Sequence, residues 1–464
     1  MKKICALLGI TCLLLTACDK DILNKKPDDT IAQPSTINDY QQLLDGIEGG
    51  VISNAPGLFS YRSLGNYLCD QDIVTDHNYQ TYFSSQNFIT GVIKWDKQMF
   101  NSVTALREWD KQYEVVLHAN LALEGIGAIN QTPSNQLAWN AVAGMAYFMR
   151  GQMYYNLAQF WAAPYHAATA GTDQGIVLRK NSDPDVASVR SSVQETYDQI
   201  IHDFKAALPF LLNTTPNNTP LSKVRPSKAA AYGALARTYL AMGDSLNTFN
   251  YADSALQLYS TLMDYNTVTS FSNFNDEMIH AAVDMGGTVA NIRGFFNIDS
   301  NFIKTYDDND LRKTRFYVNS SYAGGWVFNG DYSGNLQFTG IAVDELYLMR
   351  AEASARMGHV QAAMDDLNTL LVKRFATGTF TLRTAINASD ALTQVLTERE
   401  KELVGRGLRW TDLRRLNTDP RFAVTLSRTL QGVTYTLPPN DSRYTLQVPD
   451  YIIAAAHGSI EQTK

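Results

Sequence analysis

The stretch Thr397–Asn417, TEREKELVGRGLRWTDLRRLN, combines dense charge with an apolar stripe, and its reading decides the fold. Leu392, Leu396, Arg399 and Leu403 fall at i, i+4, i+7 and i+11, one face of a helix, so an arginine interrupts an otherwise apolar row. A guanidinium on such a face needs a carboxylate, because breaking a buried pair costs about 3–5 kcal/mol. Glu398, Glu400, Glu402 and Asp412 are near enough in sequence to serve. Gly405 and Gly407 then stop the helix. Trp410, Leu413 and Leu416 restart an apolar face flanked by Arg409, Asp412, Arg414 and Arg415. The spacing predicts two helices clasped by buried ion pairs, with Arg399 and Trp410 serving folding and not ligand binding.

Glu398-Arg399, Glu402-Leu403, Gly407, Arg409-Trp410, Asp412-Leu413 and Arg415, taken together, resemble the C-terminal signature of the SusD/RagB family of outer-membrane nutrient-binding lipoproteins. That family usually has Glu before the glycine and Phe after the tryptophan, where this chain has Arg406 and Thr411, so rewired ion pairing is expected locally. The resemblance implies that Glu398, Arg399, Glu402, Arg409, Trp410, Asp412 and Arg415 hold the helical scaffold together. A charged ligand site on this helix is the alternative.

With 464 residues, 45% hydrophobic and 11% aromatic, the chain can bury a large globular core. Its formal charge of −7, with no run of Lys or Arg longer than a pair, argues against nucleic acid as a partner. The opening residues MKKICALLGITCLLLTAC begin with two lysines, run apolar from Ile4 to Leu15, too short for a permanent span, and reach small residues before Cys18. That is the pattern of a secretory signal, and Leu15-Thr16-Ala17-Cys18 resembles the bacterial lipobox. The resemblance implies removal of residues 1–17 and acylation of Cys18, whose several acyl chains would anchor where a single chain gives only marginal binding. An ordinary secretory signal is the alternative. With Cys5 and Cys12 in the leader and Cys18 acylated, only Cys69 remains, so no internal disulfide is expected. Residues 18–35 are polar and proline-marked, as a tether would be, and residues 36–464 read as one domain.

From Thr36 the pattern turns helical, with Tyr40, Leu43, Leu44 and Ile47 on one face and Ser35 or Asn38 as the expected cap. Residues 109–129 and 135–161 read as an antiparallel helix hairpin whose connector carries Pro133. Helices resume at 189–212, at 226–242 with Pro226 in the first turn, and at 247–263. The segments Ala236–Gly243 and Ala351–Gly358 are weak internal repeats, each a helix ending at glycine before a second amphipathic helix. This is tetratricopeptide-like logic without the strict 34-residue period. The expected fold is mostly α: a tetratricopeptide-like helix-hairpin scaffold with a few short strands and long irregular loop insertions at about 50–100, 163–188, 266–340 and 418–464. Trp109, Tyr113, Asn120, Arg150–Phe160 and Ala162–Tyr165 match the family's spacing, and Arg443–Pro449 resembles its terminal strand-like segment. The resemblance is strongest at 109–165, 226–243, 342–374 and 397–417.

Catalytic motifs are missing from the sequence: there is no H-E-x-x-H, C-x-x-C, G-x-S-x-G, P-loop or G-x-G-x-x-G, and the 7 histidines are scattered singly. The 46 acidic residues leave a glycosidase-type carboxylate pair open. The run Asp307-Asp308-Asn309-Asp310 offers oxygens but lacks the glycine and the final glutamate of an EF-hand loop, so a solvated turn is expected, with Asp310 and Arg312 matching a D-x-R pairing of the family. No metal and no cofactor are expected.

Three functions are compatible with these features: a surface nutrient-binding lipoprotein, a lipid-anchored helical-repeat scaffold binding only proteins, and a surface hydrolase. The resemblance implies the first, which is not an enzyme. Such a protein sits on the outer membrane facing the cell exterior, captures oligosaccharides or peptides, and delivers them to a SusC-like TonB-dependent transporter as its lid. Ligand residues follow by elimination among the tryptophans, since a sugar face or an extended peptide is best held by exposed aromatic planes. Trp109, Trp139, Trp161 and Trp410 lie within helical periodicities and read as core. The remaining candidates are Trp95 with Tyr79, Tyr82 and Asp96 in the insertion at about 50–100, and Trp326 with Tyr322, Phe328 and Tyr332 in the insertion at about 266–340. Either tryptophan could instead plug its loop onto the scaffold.

Overall fold

Thr36, not Ser35 or Asn38, caps the first helix, α1 (Ile37–Asp45): its hydroxyl accepts from the Asp39 N–H while the Asp39 carboxylate accepts from the Thr36 N–H. The computed structural model describes residues 34–48, 51–52, 64–214, 220–272, 274–284, 296–320, 324–328, 332 and 337–463. The expected leader, Cys18 and nearly all of the tether lie outside the described residues, as does Tyr322. Residues Thr36–Lys464 group into one unit.

The first insertion is more helical than its sequence suggests, containing α2 (Leu64–Leu68), a π-turn at Tyr79–Phe83 and α3 (Asn87–Lys94). Phe88, Ile89, Val92 and Ile93 share one face of α3, a stripe of two turns that is too short to stand out against its polar flanks. The helix stops on Trp95, whose φ of 52° is a conformation usually left to glycine. Tertiary contacts hold it there: the indole N–H donates to the Leu68 carbonyl at 2.8 Å, and the Arg428 guanidinium lies 4.4 Å from the ring. Arg428 in turn donates to the carbonyls of Tyr67, Cys69 and Ile93, groups that the ends of α2 and α3 leave without helical partners. Burial pushes its guanidinium down to about 10, so it stays charged at neutral pH.

The hairpin at the centre is formed by α4 (Arg107–Gly127) and α5 (Gln136–Trp161), and α5 also packs on α6 (Val193–Ala207). Buried Arg150 locks the three together, donating to Asn120 Oδ1 at 2.8 Å and to both oxygens of Asp203 at 2.9 and 2.7 Å. Helix α6 begins at a Ser192–Glu195 capping box. Pro226 stands just ahead of the Ser227 cap of α7 (Lys228–Met242) and not in its first turn. That helix pairs with α8 (Ser245–Leu258), and α9 (Val343–Arg356) pairs with α10 (Val360–Leu371), the two repeats expected. The turns fall at Gly243 (φ 77°) and Gly358 (φ 84°), where a side chain would be strained. Arg237 of α7 pairs with Glu345 of α9, and Arg350 of α9 reaches Asp253 of α8 and Asp366 of α10, so the repeats are cross-linked. Among the described residues strands occur only in two-stranded pairs.

The stretch Thr397–Asn417 spans the end of α11 (Ala388–Glu402) and α12 (Arg409–Leu416), and most of its charges are buried. Glu402 accepts from Arg312 at 3.0 Å and from Arg374 at 2.7 Å; Arg312 also pairs with Glu398 at 2.6 Å and Asp310 at 2.6 Å, and Arg374 with Glu277 at 2.7 Å. A second chain runs from Arg399 through Asp412 and Arg415 to Glu352. Arg406, the departure from the family pattern, finds Asp344, while Arg409 finds Asp70. Trp410 is fully buried against Tyr444, with ring centroids 4.8 Å apart. Arg414 donates to the carbonyls of Ala158, Gln159 and Ala162 at the end of α5. The acidic run is only partly the solvated turn expected, since Asp308 is exposed but Asp310 is buried in the Arg312 pair.

Burial alone would raise the Glu352, Glu398 and Asp412 carboxyls, but the cations around them outweigh it. Arg415 and Arg356 hold Glu352 at about 2, Arg312 and Lys401 hold Glu398 low, and Arg399 and Arg415 do the same for Asp412. Folded-state values below the unfolded ones mean that this stabilisation is complete above the ordinary Glu value of 4.5 and is lost as pH falls toward 2. Urea unfolding should therefore show a midpoint that drops steeply as pH falls below the carboxylate range, while burial, which raises Glu277 to about 7 and Glu400 to about 6, works in the opposite direction above it. Glu352→Gln should lower the neutral-pH midpoint and make the acid limb shallower. A wild-type midpoint that stays constant down to about pH 3 would contradict the assignment.

Candidate functional site

The two insertions carrying the candidate ligand residues meet in the fold. Asp72–Ile73 pairs antiparallel with Asn297–Ile298, and the Phe296 ring packs against Tyr67 at 4.8 Å and Phe83 at 5.5 Å. Both are also fastened to the turn between α11 and α12. From the first insertion, Asn66 donates to the Gly405 carbonyl at 3.1 Å and accepts from the Gly407 N–H at 2.7 Å, while Gln71 donates to the Glu400 carbonyl at 3.1 Å. From the second, Gln337 donates to the Gly405 carbonyl at 3.0 Å. All three amides are buried, so they satisfy carbonyls that would otherwise be orphaned inside the protein. Gly405 has φ 74°, and a Cβ there would stand 2.8 Å from Phe328 Cε1, so the turn accepts only glycine without rearrangement.

Of the candidates, Tyr82 and Trp326 are half-buried, each with part of its ring on the core, and Asp96 is exposed. Trp326 lies on the short antiparallel pair Tyr317–Ser320/Gly325–Phe328, opposite Asn319, with part of its ring against an aromatic cluster that includes Tyr265, Phe316 and Tyr317. The Asp96 carboxylate accepts from the Gln98 N–H at 2.9 Å. Phe328 is half-buried, with Phe316 at 5.7 Å and Tyr317 at 5.8 Å.

Three candidates face inward and are corrected to core. Trp95 is 1% exposed and serves the end of α3. Tyr79 is buried, with Lys94 Nζ 5.2 Å from its ring. Tyr332 is buried in the ion network, its hydroxyl donating to Glu277 at 2.6 Å and its ring 4.0 Å from the Arg406 guanidinium. For Trp95 and Tyr332 a polar or cationic partner distant in sequence accompanies the burial, and for Tyr79 the partner is Lys94 of the same insertion. The amides of Asn66, Gln71 and Gln337 carry no periodicity or motif that would have marked them.

Glu398, Arg399, Glu402, Trp410 and Asp412 are buried, and Arg409 and Arg415 point their guanidinium groups into carboxylates. The signature faces the interior, and its charges are spent on ion pairs within the fold. Among the described residues no group of His, Cys, Asp and Glu could hold a metal ion, and no helix is long and apolar enough to cross a membrane.

Comparison with known proteins agrees with this architecture. A family model described as SusD-like, starch-binding and associating with the outer membrane matches residues 21–240, and a SusD family model matches 337–444, together more than half of the chain. SusD-like protein P2 of Formosa agariphila is 27% identical over 232 residues, which is 50% of this chain and 42% of that relative's length. A SusD superfamily protein from Bacteroides thetaiotaomicron superposes with a TM-score of 0.72 at 20% identity, covering 92% of this chain and 100% of that one. A SusD-like carbohydrate-binding protein from Bacteroides vulgatus gives 0.69 at 19% identity, covering 92% and 98%. A laminarin-binding SusD-like protein gives 0.58 at 16% identity, covering 92% and 96%. The solved structures carry the fold, the two matched models carry the family, and the chain belongs to the SusD/RagB family.

Proposed function

We propose that the chain is a cell-surface nutrient-binding lipoprotein that captures oligosaccharides and delivers them to a SusC-like TonB-dependent outer-membrane transporter, closing its mouth as a lid. The convergence of two aromatic insertions on one turn of the scaffold carries this reading, in a family whose matching model is described as starch-binding and associating with the outer membrane. The laminarin-binding relative favours a saccharide over a peptide as ligand. Tyr82 and Trp326 offer aromatic faces to the C–H face of a sugar ring, and Asp96 offers an acceptor for its hydroxyls. Capture and release make and break no bond. Residues 1–17 are the leader in this account, Cys18 the acylated anchor, 18–35 the tether and 36–464 the binding domain, with Tyr322 a further member of the ligand surface.

Binding is tested by calorimetry against oligosaccharides that include laminarin fragments. Tyr82→Ala and Trp326→Ala should each weaken the best ligand tenfold or more, about 1.4 kcal/mol, in proteins that still unfold cooperatively. Unchanged affinity in both variants would move the site elsewhere. Anchoring and partnership are tested together in membranes: Cys18→Ala should lose its acyl mass, while the native protein should co-purify from mild detergent with a large outer-membrane partner. Acylation that persists in the variant, or recovery of the native protein only as a free monomer, would count against the respective part.

A further inference from the structure

A cleft of about 360 Å³ opens between residues 304–307 and helices α10 and α11, and it shares no lining residue with the aromatic surface of the two insertions. Its volume falls within the range of small-molecule sites. Tyr306, Leu367 and Phe375, all buried, contribute an apolar floor. Two cations stand at its rim, Lys304 and Arg383, both exposed. Of the other charges lining it, Glu398 and Lys401 are committed to ion pairs and Asp307 is not. Glu398 is paired with Arg312 at 2.6 Å and with Lys401 at 3.2 Å, and Asp307 accepts from the Asn309 N–H at 2.8 Å. The rim thus carries two cations, Lys304 and Arg383, against one exposed carboxylate, Asp307.

Arg383 is presented by a built loop. Its N–H donates to Asn368 Oδ1 at 2.8 Å, and its carbonyl accepts from the same amide's nitrogen at 2.9 Å. The next carbonyl, of Thr384, accepts from Gln394 at 2.9 Å, and Phe380 packs on Phe375 with centroids 5.2 Å apart. The loop backbone is thus clamped on both sides of the arginine, while its guanidinium makes no ion pair among the described residues. The backbone is fixed and the exposed guanidinium is free to turn, and its fork suits a carboxylate held by two parallel hydrogen bonds, with Lys304 adding a second charge. An apolar floor beside a carboxylate-binding rim matches a sugar ring that carries an acid group.

We propose that this cleft is a second saccharide site, selective for a uronate residue. It stands independently of the aromatic surface, because no residue is common to both. The test is a calorimetric titration of the mature, detergent-solubilised protein with digalacturonate, and with a neutral digalactoside as control. Digalacturonate should bind with an affinity that falls with added salt, and the neutral disaccharide should not bind. Arg383→Ala and Lys304→Ala should each weaken binding tenfold or more with native thermal midpoints, and Asp307→Asn should tighten it. Tyr82→Ala and Trp326→Ala should leave it unchanged, which separates failure of this site from failure of the aromatic one. No binding of digalacturonate, equal binding of the neutral disaccharide, or full affinity in the folded Arg383→Ala protein would overturn the proposal.

Discussion

Glu402 holds two arginines at once, and the rest of the architecture depends on that pairing. Arg312 comes from the second insertion, Arg374 from the segment after α10, and Glu402 from the end of α11, so one buried carboxylate fixes three segments in relation to each other. Buried ion pairs add little net stability over good apolar packing, because desolvation offsets much of the attraction. Breaking one is costly all the same, since the surviving charge is stranded out of water. Their effect is to specify which segments meet. Here Asp310, Glu398, Glu277 and Tyr332 extend the same network, so it ties several described segments of the second insertion to the scaffold.

That constraint reaches the candidate ligand surface through the turn that follows. Once α11 is fixed, the carbonyls of Glu400 and Gly405 have set positions, and amides from both insertions dock on them. The loops bearing Tyr82 and Trp326 therefore share an anchor although they are far apart in sequence. A scaffold of this kind can vary loop tips while keeping their bases in register, which is how binding residues on loops are usually carried. The buried signature and the partly exposed aromatics play separate roles: the former locates, the latter would touch.

Much of this was legible from residue spacing. The α4–α5 hairpin, the two glycine-turned repeats and the charged clasp all follow from helical periodicity, and Asn120 and Arg150 fall at the facing positions that their hydrogen bond requires. Local pattern failed where long-range partners decide. Trp95 looks like a loop aromatic until Arg428, more than three hundred residues on, covers its ring. Tyr332 looks like a ligand residue until Glu277 and Arg406 enclose it. Helices α2 and α3 are too short for periodicity to identify, and their ends are satisfied by a distant guanidinium and not by caps written in their own sequence. The cleft under Arg383 is a juxtaposition of three segments that no single stretch announces.

The claim that the clasp organises the molecule is tested most directly by native-state hydrogen exchange, followed amide by amide in increasing denaturant. Amides of α11 and α12 should exchange only through global unfolding, with opening free energies equal to the stability of the whole domain. Amides of the pair Tyr317–Ser320/Gly325–Phe328 should open at lower cost. Exchange of α11 and α12 through a partial opening that leaves α4, α5 and the two insertions protected would contradict the account, because those elements would then hold their places without the clasp.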